Sequence, residues 1–351
     1  MHDTDLTITS MPLRAADLAE GRWGVLRSMS LPTAVRDVRW LAVLQQGLKH
    51  QPIVIEARRG AELVGVLPLA LVDSFLFGKY LVSLPYVNWA GVVCEDAEVA
   101  RALIDRAVAL ADEFDVRHLE LRHEVEYQHP ALTQRLDSKA NMRLSLSGTS
   151  DDAWKKLRSV VRTQIRKGQT QGFEVEWGSV NLLDEFYGVF AQNMRDLGTP
   201  VYSRTLFRSI LKLFPSEAEL CVVRLAGQSV AAALAVHAEG ITEVPSASVE
   251  RAFRSTAANS FMYWELIQRA IARKQTVFDF GRSTIDSGTF AFKKKWGAEP
   301  QRAVWQYYRR KGEVSDIRPD GGKYDRMISI WKRIPVFVTK IIGPPIVRGI
   351  P

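Results

Sequence analysis

Within WKKLRSVVRTQIRKGQTQG, residues 154 to 172, Arg158, Arg162 and Arg166 recur every four positions beside Lys155, Lys156 and Lys167. On one helix that spacing aligns the three guanidinium groups along a single face. Such a row can grip phosphates through charge-assisted, sometimes bidentate contacts. It can equally be a solvated helix face, although a same-sign stripe repels itself unless an anion or an acid compensates it. A second cluster is NMRDLGTPVYSR, where a helix ends near Asn193 and the turn Gly198-Thr199-Pro200 can expose Arg195, Asp196, Tyr202 and Arg204 at a cleft. Helix capping explains the glycine and proline as well. The third is FDFGRSTIDSGTFAFKKKWGAEP, residues 278 to 300, in which a buried-looking strand runs into Asp279, Arg282 and Ser283 and three lysines follow Phe292.

Several chemistries are excluded. Two distant cysteines, Cys94 and Cys221, and six scattered histidines give no metal-ligand spacing, and His123 with His129 comes nearest without specificity. There is no Walker-type loop, GxSxG elbow or GxGxxG fingerprint. Catalysis by this chain must rest on positioning and electrostatics, with no named nucleophile.

The 351 residues are 46% hydrophobic, enough to bury large cores in about two domains. A net charge of +8 favours anionic partners over cationic ones. Two cysteines, each in an apolar stretch, fit buried packing in a reducing compartment. The N-terminal residues lack the apolar core of a signal peptide, and no stretch approaches the roughly 20 apolar residues of a spanning helix. The expected location is the cytoplasm, with the inner face of the membrane open.

The elements that must position these residues follow from period and punctuation. Residues 53–57, 62–71, 79–88 and 116–121 read as strands, and Leu103, Ala107, Leu110 and Phe114 place a helix between the last two. The pattern restarts near residue 141: strand, a basic helix over 151–172, strand, then a helix whose face is Leu182, Phe186, Val189, Phe190, Asn193 and Leu197, stopped by Gly198. A second helix and three strands succeed it. A helix over 257–274, a strand, a short helix ended by Gly297 and a last strand at 301–310 complete the half. Strands, helices and hairpins together predict a mixed α/β fold with partly antiparallel sheets: a domain at 1–140, a second at 141–310 and a tail at 311–351. The tail interleaves Lys323, Arg326, Lys332, Arg333 and Lys340 with Ile328, Ile330, Trp331, Ile334, Val336, Phe337 and Ile341. A basic amphipathic segment of this kind lies on an anionic membrane or folds back onto the domains, and Pro335, Pro344 and Pro345 should interrupt any long helix.

With these clusters in view the sequence resembles the FemAB-type acyltransferases of the GNAT superfamily, in the branch associated with exosortase exopolysaccharide systems. The residues that carry the resemblance are LPYVNWAGVV, which includes Asn88, HLELRHE, VVRTQIRKGQTQGFEVEWG, LLDEFYGVFAQNMRDLGTPVYSR, NSFMYWELIQRA, the stretch 278–300 and WKRIPVFVTKIIGPPIVRGIP. They span nearly the whole chain.

The resemblance implies two tandem GNAT-like domains with a cleft between or beside them, and transfer of an acyl or aminoacyl group onto an amine. It also implies a Phe-Lys pair, matching Phe292 and Lys293, that binds the donor end and stabilises charge. Amine attack on an activated carbonyl forms a tetrahedral oxyanion, and one placed donor to it is worth about 3 to 4 kcal/mol. Asp279 is then a candidate base for the ammonium proton, or a carboxylate paired to Arg282 that holds the loop. Arg282, Ser283, Phe292, Arg195, Asp196, Tyr202, Arg162, Arg166 and Asn88 are the expected substrate contacts. No tightly bound cofactor and no metal is expected. The donor is acyl-CoA or aminoacyl-tRNA. ERAFRSTAANS stands where acyl-CoA enzymes of the superfamily carry a glycine-rich pyrophosphate turn, and its lack of glycine tilts the expectation toward tRNA or another carrier. The acceptor is an amine on a small molecule or glycan of a cell-envelope or exopolysaccharide precursor. The competing reading is a non-catalytic module that holds RNA or an anionic glycan or lipid carrier.

Overall fold

The computed structural model describes residues 5–14, 37–88, 90–238, 240–311 and 325–350, so that Trp89 and Lys323 lie outside it. The chain divides into two compact units, residues 1–137 with 302–321 and 348–351, and residues 138–301 with 322–347.

The first unit begins with β1 (Leu6–Pro12), α1 (Arg39–Leu48), β2 (Gln51–Arg59), β3 (Glu62–Ser74), β4 (Gly78–Val82) and β5 (Val93–Cys94). It continues with α2 (Ala97–Glu113), β6 (His118–His123) and β7 (Gln134–Leu136). Its sheet runs β1-β2-β3-β4-β6, then a strand from far along the chain (Val304–Arg309, β15), then β7, with β5 on β3. Asp96 caps α2 by accepting from the Val99 N–H at 2.9 Å. The face foreseen for that helix, Leu103, Ala107 and Leu110, packs on Ile53, Ile55, Leu67, Leu119 and Leu121. β1 and α1 carried no signal in the sequence reading.

β15 corrects that reading. It was expected to close the second half, yet it pairs β6 antiparallel from Val304↔His123 to Arg309↔His118. Burial decides the matter: Trp305, Gln306 and Tyr307 are all buried, Trp305 and Tyr307 with Ala303 in a cluster of their own, and the Arg122 guanidinium lies 4.1 Å from the Trp305 ring centroid. The partner strand is some 180 residues away in sequence, beyond the reach of any local pattern.

The second unit opens with β8 (Lys139–Ser145), α3 (Ser150–Lys156), α4 (Ser159–Gln169), β9 (Phe173–Gly178), α5 (Leu183–Leu197) and α6 (Arg204–Leu213). Three hairpin-connected strands follow, β10 (Ala218–Leu225), β11 (Gln228–Ala238) and β12 (Ile241–Val249), then α7 (Ala258–Ala272), β13 (Val277–Thr284), α8 (Gly288–Lys295) and β14 (Glu299–Arg302). Sheet order is β14-β8-β13-β12-β11-β10-β9. α7 covers one face, burying Phe261, Met262, Trp264, Leu266 and Ile267 with Val230, Ala231, Ala233 and Ala235 of β11. α5 and α6 join through Phe186, Phe190 and Phe207, whose ring centroids lie 4.9 to 5.8 Å apart.

Two local readings change. The single basic helix is broken: Leu157 and Arg158 take extended backbone (ψ 141° and 146°), so Leu157 can turn into the core, and Arg158 stands outside the helix that carries Arg162 and Arg166. Leu197, assigned to the buried face of α5, is 50% exposed because the helix ends there, at Gly198 in the left-handed region (φ 80°). The tail forms α9 (Asp325–Trp331) and α10 (Val336–Val347). Pro335 falls between them as foreseen, whereas Pro344 and Pro345 lie inside the last turn of α10 and do not end it.

Candidate functional site

β12 and β13 run parallel through three residue pairs only, Ile241↔Val277, Thr242↔Phe278 and Glu243↔Asp279. Beyond Asp279 the register of β13 with β8 shifts, and pairing resumes at Arg282↔Asn141. Gly281 makes the bulge possible, since its φ of 77° lies in the region that favours glycine. Asp279 is thus a mid-strand residue at the point where two parallel strands part, and not the end of a strand.

The bulge leaves backbone carbonyls in need of a donor, and Lys293 supplies it. Its Nζ donates to Gly281 O at 2.9 Å and to Arg282 O at 3.1 Å. α8 brings the lysine there because Ser287 caps the helix by accepting from the Phe290 N–H, while Phe292 packs tilted against Tyr263 and edgewise against Trp296. Of the three lysines only Lys293 turns inward, to 7% exposure, and Lys294 and Lys295 face solvent. Burial lowers its pKa to about 8, opposed by the Asp279 charge, so the ammonium form prevails at neutral pH. Two of its three N–H donors are thereby committed to backbone carbonyls.

Asp279 is 2% exposed. The guanidinium on it is that of Arg143, from β8, whose Nε lies 3.0 Å from Oδ2, where the sequence had suggested Arg282. The Gly281 N–H donates to the other oxygen at 2.7 Å. Burial pushes this carboxyl up against the pull of Arg143. Two neighbouring polar groups are buried with no partner among the described residues: the Asn141 side-chain amide and Ser283 Oγ. Buried polar groups of this kind are rare in folded proteins.

Residues 155–294 match a family model described as an acetyltransferase (GNAT) domain. A solved structure of FemX, 15% identical, covers 88% of this chain and 99% of its own with a TM-score of 0.66. Residues 155–294 thus carry a GNAT domain, and the chain as a whole shares the fold of FemX. A tandem GNAT protein from the clavulanic acid biosynthesis pathway (14% identity, 88% and 100% covered, TM-score 0.57) shares the architecture. So does the L-PGS of Bacillus licheniformis (13%, 92% and 97%, 0.55). No curated protein matches the sequence.

The remaining sequence-derived residues fall into separate places. Arg195 and Asp196 line a recess of about 600 Å³ with Gln192 from the end of α5 and Glu250, Arg251 and Ala252 from the turn after β12. Asp196 is held there by Arg195 at 2.9 Å and by the Gln192 amide at 3.2 Å. Burial and the nearby Asp196 charge push the Glu250 carboxyl up. Tyr202 lies between α5 and α6, and its carbonyl accepts from Tyr187 Oη at 3.0 Å. Arg162 and Arg166 turn toward α3: the first donates to Lys155 O, and the second lies over the Trp154 ring. Asn88 belongs to the first unit, on the loop after β4. That loop holds Leu84 and Tyr86 at positive φ (51° and 77°), and Arg122 donates to Leu84 O and Val87 O.

The sequence reading missed Asn141, Arg143 and Glu250. For the first two a signal existed: Asn and Arg alternate with Ala140 and Met142 in a strand buried on both faces, where polar side chains need a reason. Glu250 gave none.

Proposed function

We propose that the chain is an acyltransferase that moves an acyl or aminoacyl group from an activated carrier to an amine of a cell-envelope or exopolysaccharide precursor. The observation that carries this reading is Lys293: a buried ammonium held by two carbonyls of the β13 bulge, close to the parting of β12 and β13. The amine nitrogen attacks the activated carbonyl carbon and forms the C–N bond. The electron pair on the carbonyl oxygen is stabilised by the Lys293 ammonium. Collapse expels the carrier's thiolate or alkoxide, which leaves with a proton taken from the attacking nitrogen. The Asp279 carboxylate, already engaged by Arg143 and the Gly281 N–H, acts in this scheme by fixing the bulge and sustaining the charge on Lys293.

Acyl-CoA is the donor this reading favours. The turn Arg251–Thr256 leads into Ala257, which takes the left-handed conformation (φ 63°) without being glycine, and α7 starts there with no side-chain cap. The missing glycine therefore does not forbid the anion-binding turn, because alanine accepts the conformation at a cost of about 1 to 2 kcal/mol. The first-turn N–H groups of a helix have no partner of their own and receive phosphate well, and the exposed side chains of Arg251 and Arg254 add positive charge to the approach. The tandem GNAT protein, whose structure was solved without acetyl-CoA, supports an acyl-CoA donor, and the likeness to a putative lysylphosphatidylglycerol synthetase from Agrobacterium fabrum keeps the aminoacyl donor as the alternative.

The test is transfer, measured as thiol release from acyl-CoA donors with a panel of amines, and as loss of aminoacyl-tRNA in parallel. Lys293→Ala should lower turnover by about a hundred- to a thousandfold while donor binding persists. Unchanged turnover would remove Lys293 from the reaction.

A further inference from the structure

The tail helices dock onto the second unit by one face and leave the other uncovered. Trp331, Thr339, Gly343 and Val347 are the buried positions. The contacts are close: a side chain at Gly343 would come within 2.9 Å of the Val201 backbone, and one at Gly198 within 2.5 Å of Ile328. The side of α10 opposite its buried positions is apolar and open, and α9 exposes apolar side chains as well. Met327 and Ile330, three residues apart on α9, are 60% and 63% exposed, and Phe337 and Ile341, four apart on α10, are 69% and 70% exposed. A helix that only folded back would turn such residues inward.

Charge decides what covers this face. After the exposed Asp325 that opens α9, the sequence from Arg326 to Pro351 holds five basic residues, Arg326, Lys332, Arg333, Lys340 and Arg348, and no further aspartate or glutamate. Arg326, Lys332 and Arg333 are solvent-exposed. A site for a second copy of this chain or for another protein has no need to exclude carboxylates over 26 residues, whereas a surface that meets lipid phosphates does.

We propose that α9 and α10 form a peripheral membrane-docking face, with Met327, Ile330, Phe337 and Ile341 entering the headgroup and acyl boundary of an anionic bilayer and the flanking cations meeting its phosphates. Among the described residues no helix is long and apolar enough to cross a membrane, so the contact is interfacial. Neither signal suffices by itself, since modest apolar burial and a few cations give lasting attachment only together. The proposal is independent of the acyltransferase reading.

The test is flotation of the full-length protein with vesicles of phosphatidylcholine alone or of phosphatidylcholine with phosphatidylglycerol. Binding is expected to the anionic vesicles only, and to weaken with salt. Lys332→Ser with Arg333→Ser should weaken it by roughly fivefold per cation removed. Phe337→Glu with Ile341→Glu, both on the exposed face and so without effect on the melting temperature, should abolish it. Equal binding to neutral and anionic vesicles, or wild-type binding by the Phe337→Glu/Ile341→Glu variant, would overturn the proposal. So would a lipid-free dimer that this variant dissolves while no vesicle binding is seen, because the face would then belong to a second copy.

Discussion

Replacing Lys293 by methionine isolates the physics on which the site depends. The lysine loses its proton near pH 8 in the folded chain and near 10.5 in the unfolded one. Its folded pKa is depressed, so its burial costs nothing above 10.5 and costs progressively more as the pH falls to 8, reaching about 3 kcal/mol below that. Methionine fills a similar volume and removes that cost, but it leaves Gly281 O and Arg282 O without their donor, at about 1 to 3 kcal/mol for a buried group. At pH 7 the two effects roughly cancel. The pH dependence does not cancel: between pH 7 and 10.5 the wild type should gain about 3 kcal/mol on the variant. Tyr187 and Tyr263, both pushed up to about 12 by burial, move stability the other way above pH 10, but equally in the two proteins. Urea unfolding of both proteins at several pH values across this range measures the difference. Parallel curves would mean that Lys293 is not a buried ammonium, and the charge-stabilising role would fall with it. Transfer activity offers a second readout, since a donor that must be protonated gives a rate that declines through about pH 8 in the wild type.

Two further outcomes follow from the same unit. Arg143→Met strips the buried Asp279 of its guanidinium and should cost about 3 to 5 kcal/mol at pH 7, and less at acid pH where the carboxyl takes a proton; denaturant midpoints at the two pH values check this, and a loss below about 1 kcal/mol would show the pair to be dispensable. Gly168→Ala should lower the melting temperature where helix propensity alone would raise it, because the new Cβ would sit 2.8 Å from Phe261 Cβ where α4 crosses α7.

Periodicity made much of this protein legible. Leu103, Ala107 and Leu110 on α2, and Phe186, Val189 and Phe190 on α5, are core faces that the 3.6-residue repeat alone requires, and Gly198 and Gly297 mark helix ends because a left-handed residue is needed there. The mixed α/β class and the tail as a basic and apolar segment come from the same string of letters, whereas Phe292-Lys293 as a pair worth attention is what the resemblance to FemAB-type acyltransferases implies. What no local pattern holds is who meets whom. That Lys293 alone of three lysines turns inward depends on Tyr263 and Trp296 seating Phe292 beside it. That Asp279 pairs with Arg143 depends on β8 lying antiparallel to β13 from 136 residues away. β15 chose the first sheet for the same reason, since strand partners are fixed by burial and pairing across the whole chain, and a sequence read one window at a time contains neither.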